Sequence, residues 1–162
     1  MASFDRIIPR ILMHEGGYSN DGLDAGGETN YGIAKRSHPE EDIKGMTKDR
    51  AKQIYRRDYW LPIKGDDIQF DQTAYLIFDM AVNAGPRTAV KMAQRVVGVT
   101  DDGAIGPKTL AALNKKSPGE FAGGYVKERQ AYYRGIVNRK PEQAKFLAGW
   151  LRRAEDQGTE FA

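Results

Sequence analysis

Residues 71–84, DQTAYLIFDMAVNA, are apolar on nearly every side at helical spacing, and Gly85 and Pro86 follow directly. A helix of that kind has no face to give to water and must be enclosed by other elements. Glycine then proline stops one helix and starts the next. The chain is therefore expected to wrap further helices around 71–84. Amphipathic runs supply them at residues 3–14, 47–59, 86–97, 118–138 and 141–157, with a short helix inside 99–114. Ser3 and Thr47 are placed to cap the first two. Pro9 should kink the first helix or mark a later start. Tyr125, Tyr132, Tyr133, Phe146 and Trp150 recur at helical spacing and are expected mostly in the core. No alternating run is long enough for a sheet of any size. Residues 16–32 are punctuated by glycine and read as a loop or small hairpin wing, with Asp21 and Gly22 as a turn. Residues 32–36 are expected to open a short helix. The fold class is mainly α, one compact domain over 1–162 with a small wing after the first helix.

Composition removes several kinds of chemistry. With no cysteine among 162 residues there is no disulfide, thiolate nucleophile or cysteine metal site. Two histidines, His14 and His38, are too few for a histidine-rich metal centre, and the wing's carboxylates do not follow calcium-loop spacing. No metal or organic cofactor is expected. A net charge of +3 and a pI near 9.0 lack the basic stripe of a nucleic-acid binder, but would suit an acidic cell-wall polymer. No apolar run is long enough for stable membrane insertion. The N-terminus, broken by Arg6, Pro9 and Arg10, is not a secretory signal, so synthesis in the cytoplasm is expected, with release or export to the wall by another route.

Glu15 stands out on physical grounds. Phe4, Ile8 and Ile11 form one helical stripe, and the next position on that face is 15. A carboxyl there is disfavoured in its charged form by burial and by the negative end of the helix dipole. Such a group suits general acid work. The alternative is that Glu15 leaves the helix and faces water ahead of the Gly16 and Gly17 stop. Asp24 and Thr29 follow at nine and fourteen residues. A hairpin folding back over the helix end would bring either near Glu15, the arrangement of an acid facing a group that holds water in glycoside hydrolysis. Asp21 and Glu28 read as structural members of the turn.

The run HEGGYSNDGLDAGGETNYGIAKR, residues 14–36, closely resembles the N-terminal signature of glycoside hydrolase family 108. These are lysozyme-like N-acetylmuramidases found as phage endolysins, with bacterial relatives labelled secretion-activating proteins. DMAVNAGPRTAVKMAQRVVGV, DDGAIGPKTLAAL and FLAGWLRR resemble that family's C-terminal region, often described as a peptidoglycan-binding module. The resemblance implies a lysozyme-like fold. It implies a catalytic part over 1–85 and a helical wall-binding part over 86–162 packed on it. It also implies cleavage of the β-1,4 bond between N-acetylmuramic acid and N-acetylglucosamine in peptidoglycan glycan strands. The family's catalytic glutamate falls on Glu15, with Asp24 or Thr29 as the water-holding partner. A holin-like export route is implied for a chain acting in this way.

Tyr18, Asn30 and Tyr31 flank this site and suit sugar faces and hydroxyls, or else pack the hairpin. Asn83 in VNAGP either faces the cleft or caps the helix turn. DDGAIGPKT is either a peptidoglycan recognition surface or a bare turn between helices. The competing function is a non-catalytic peptidoglycan-binding or secretion-assisting protein on the same scaffold.

Overall fold

The computed structural model describes residues 1–20 and 27–162, with only the backbone of His14 and Glu15. Two compact units divide the chain: Phe4–Asp58, and Met1–Ser3 together with Tyr59–Ala162. Mainly helical structure with a small antiparallel wing is the architecture expected from the sequence.

The first unit opens with α1 (Phe4–Glu15). The helix runs through Pro9, so the later start does not occur. Having no N–H, Pro9 leaves the Asp5 carbonyl without its bond four residues on. Phe4, Ile7, Ile8, Ile11 and Leu12 are all buried, as the stripe predicts. The wing follows as β1 (Ser19–Asn20), β2 (Glu28–Asn30) and β3 (Ile33–Ala34), antiparallel in that order. The expected short helix over 32–36 is instead β3. Tyr31 and Gly32 have φ of +52° and +77°, and Asn30 pairs with Ile33 across them. Two residues at positive φ make the tight turn whose twist matches antiparallel strands, and asparagine-tyrosine-glycine supplies it. Thr47 caps α2 (Lys48–Tyr55), its hydroxyl accepting from the Arg50 N–H at 3.1 Å. The helix expected to reach residue 59 widens after Tyr55 into a π-helical turn, Arg56–Trp60.

In the second unit, Trp60 is fully buried, its ring centroid 5.2 Å from that of Phe78 in an edge-on arrangement and its Nε1 donating to Asp66 at 2.9 Å. The expected enclosed helix is α3 (Asp71–Ala84), buried from Gln72 to Ala81. It packs on α4 (Pro86–Val97) and α6 (Pro118–Arg139), with α5 (Pro107–Lys115) against α4 and α7 (Ala144–Gln157) against α6. One polar knot crosses this core. Asp79 on α3 accepts from Arg129 on α6 and from Gln157 on α7, both at 2.7 Å. Burial pulls the Arg129 pKa down, but the Asp79 charge together with Tyr133 and the hydrogen bonds to both raises it above its ordinary value, and the guanidinium stays charged. Tyr125 and Tyr133 are buried as expected. Phe146 departs from that expectation: it is 44% exposed and stacks on Trp150.

Candidate functional site

Glu15 is the last residue of α1, and Gly16 follows at φ +74°. A left-handed residue just past a helix closes it and redirects the chain, and glycine adopts that conformation without a Cβ penalty. The redirected chain enters β1 three residues later. Asp24, with the Asp21 and Gly22 turn, lies outside the described residues.

Thr29 is the middle residue of the middle strand, paired with Ser19 on β1 and with Ala34 on β3. Direct cross-strand partners share a face, so the two hydroxyls of Ser19 and Thr29 stand on one side of the sheet. Neighbouring positions along β2 point the other way. There Asn30 is buried and its Nδ2 donates to the Ile43 carbonyl at 3.0 Å, which binds the strand to the segment before α2. Tyr31 has its carbonyl held by the Tyr55 hydroxyl at 2.6 Å. That bond fixes a non-glycine residue in the left-handed region, where strain is often stored near functional sites.

Tyr18 is exposed, and its hydroxyl donates to Glu28 Oε2 at 2.7 Å. The hydrogen bond to Glu28 pushes the phenol above its ordinary pKa, keeping it a donor. Glu28, read from the sequence as a turn residue, is thus a strand carboxylate bonded to an expected sugar-binding tyrosine. The alternation in Glu-Thr-Asn, placing Thr29 on one face and its neighbours on the other, was the signal that could have marked it. Ser19 was also missed. Its only sequence signal is register, which cannot be read without the pairing.

Further along the unit, His38 is buried with Nε2 3.0 Å from Asp58. The Arg57 guanidinium beside Asp58, opposed by partial burial and helped by His38, holds that carboxyl below its usual range. Arg50 does the same for Glu41 through a fork of bonds at 2.9 and 2.7 Å. These pairs brace the chain between β3 and α2.

Asn83 belongs to the second unit, exposed on the last turn of α3. Its Oδ1 accepts from Tyr133 at 3.4 Å, and the Tyr133 oxygen in turn accepts from Arg129 Nε at 2.9 Å. The carboxamide therefore hangs at the edge of the buried Asp79 knot. Among the described residues no cluster of three or more metal-ligating side chains occurs. No helix among them is long and apolar enough to cross a membrane.

Comparison with known proteins gives two family models in tandem. Glycosyl hydrolase 108 matches residues 8–85, and a predicted peptidoglycan domain matches residues 88–155. The join between them falls at the start of α4. Curated protein sequences give no match. Among solved structures 12 chains match. One of them, SagA of Brucella abortus, is 33% identical over 98% of this chain and 92% of its own, with a TM-score of 0.83.

Proposed function

The chain belongs to the glycosyl hydrolase 108 family, a glycosidase family joined here to a peptidoglycan domain, and from that premise we propose that it is an N-acetylmuramidase with Glu15 as general acid. The observation that carries the reading is the station of Glu15. It ends a buried amphipathic helix, immediately before a left-handed glycine and a strand wing bearing hydroxyls.

In this mechanism Glu15 gives its proton to the glycosidic oxygen between N-acetylmuramic acid and N-acetylglucosamine as the bond to the anomeric carbon breaks. The sugar passes through an oxocarbenium-like transition state. A water held by Asp24 or by Thr29 adds to the anomeric carbon and loses its proton. If Asp24 takes that proton as base on the far face, the outcome is inversion, which needs carboxyl groups roughly 6.5–9.5 Å apart; retention needs about 5 Å. Thr29 suits water because its hydroxyl neighbours that of Ser19 on one sheet face. Tyr18 and Tyr31 offer ring faces to sugar. Asn83 offers an exposed carboxamide, and Asn30 contributes by fixing β2 through Ile43. In this reading the chain acts on the wall, which it reaches by release or by a holin-like route.

Purified peptidoglycan incubated with wild type and Glu15→Gln tests this. Muramic-acid reducing ends released by the wild type alone, with both proteins folded, sustain it. The match to a predicted peptidoglycan domain over 88–155 also fits a second reading, a wall-binding or secretion-assisting protein without turnover. Retention of both proteins on the polymer with no new reducing ends would select that reading.

A further inference from the structure

The segment DDGAIGPKT frames a cavity of about 660 Å³, lined among others by Val99, Thr100, Ala104, Ile105, Pro107 and Lys108. That size lies within the range of small-ligand sites. Its walls are held from behind by one side chain. Gln94 on α4 is 1% exposed and bonds the loop at every polar atom it has. Its Nε2 donates to Asp102 Oδ1 at 2.9 Å, to the Ala104 carbonyl at 3.0 Å and to Thr109 Oγ1 at 3.2 Å. Its Oε1 accepts from the Gly103 N–H at 2.9 Å. Arg95, one residue on, adds Asp101 at 3.1 Å and Glu128 at 2.7 Å. A turn that only joined α4 to α5 would need none of this. A loop held at so many points has little freedom left to lose when a ligand arrives.

The chemistry of the lining argues against a sugar ring. Glycan sites offer aromatic faces and carboxamides, and this cavity has neither among its lining residues. It offers aliphatic carbon from Val99, Ala104, Ile105 and Pro107, the sizes that take methyl groups. It also offers one cation and one anion, Lys108 and Asp102. Lys108 is exposed and makes no salt bridge among the described residues. Asp102 has Oδ1 turned inward onto Gln94 and the Ala104 N–H. The sugars carry methyls only on their N-acetyl and lactyl groups and no free amine, whereas the short peptide stems of peptidoglycan combine alanyl methyls, carboxylates and a free amine on one small ligand.

We propose that this cavity binds the peptide stem of peptidoglycan, with alanyl methyls on Val99, Ile105 and Pro107 and a stem carboxylate on Lys108. The assignment rests on the reading of the chain as a wall-acting protein and names the part of the polymer that its second unit holds. In this arrangement stem binding by the second unit adds to glycan binding by the first on one substrate.

Calorimetric titration of the full chain carrying Glu15→Gln, so that nothing turns over, tests it. The probes are a soluble stem peptide of alanine, γ-linked glutamate and a diamino acid, glycan strands freed of stems by an amidase, and intact sacculi, the last read by co-sedimentation because they are insoluble. The expected result is saturable binding of the peptide. Lys108→Glu should weaken it by about tenfold or more, at unchanged melting temperature. Thr100→Trp, which fills the cavity from an exposed position, should abolish it. Peptide binding equal in both variants and parent overturns the assignment. If the parent holds stem-free glycan and intact sacculi but not the peptide, the cavity assignment falls and the wall-acting reading stands. If it holds none of the three, both fall.

Discussion

In Phe4–Asp58 the wing that follows Glu15 is tied by bonds from side chain to backbone. Tyr55 holds Tyr31, Asn30 holds Ile43, and strands of two or three residues stand between them. In Tyr59–Ala162 the backbone is held by helix packing instead. An enclosed α3 forms the centre, and three of the polar side chains that enter the core, Asp79, Arg129 and Gln157, are joined in one knot. Packing of the second kind sets positions only as closely as side-chain shapes allow, but it resists unfolding. Bonds of the first kind aim individual atoms and contribute little net stability each. A region that must place an acid, a water and a sugar gains from the first; a region that must carry it gains from the second.

The contrast implies that changes in the first unit cost activity more than stability, and changes in the core of the second cost stability more than activity. Glu15→Gln is the extreme case. Product formation should fall by about 10²–10⁴-fold while the melting temperature holds, read by reducing-end release beside a thermal scan. Loss of fold instead would place Glu15 among structural residues. Asp79→Ala is the counterpart. It strands a buried guanidinium and should cost about 3–5 kcal/mol in a denaturant titration, with kcat on peptidoglycan near wild type below the midpoint. Tyr55→Phe removes the donor to the left-handed Tyr31 and should cost about 1–3 kcal/mol with a further drop in activity. Full activity in that variant would separate the β2–β3 turn from the site. Asp58→Asn should have the smallest effect. The folded Asp58 pKa is depressed, so its contribution is complete above the ordinary carboxylate value of about 3.9 and disappears as pH falls through the folded value. The acid side of a plot of melting temperature against pH should therefore be flatter in the variant.

The helices were legible because their signals are local. Gly85 with Pro86, and Gly106 with Pro107, sit at the starts of α4 and α5, and Ser117 before Pro118 opens α6 with its hydroxyl on the Glu120 N–H. Apolar spacing over several turns marked what they bury. In the wing the same approach failed at residues 32–36, where Gly32 reads equally as a helix opener or as half of a two-residue turn. Strand pairing decided it, through the bonds between Asn30 and Ile33. The π-helical turn after Tyr55 had no local mark. Phe146 shows the limit of spacing alone: its period fits a core face, yet α7 leaves it in solvent beside Trp150.

Residue order alone made α3 a helix with no solvent face, put a glutamate at the end of the α1 stripe and ended that helix at a glycine, because each depends on a few neighbouring residues and the helical repeat. The tertiary structure alone joined Asp79 to Arg129, fifty residues apart, set Ser19 beside Thr29 and drew the DDGAIGPKT turn around a cavity by way of Gln94. Those pairings depend on distances between segments that no local pattern encodes. They arise only when burial brings polar groups together and each must find a partner or remain unsatisfied out of reach of water.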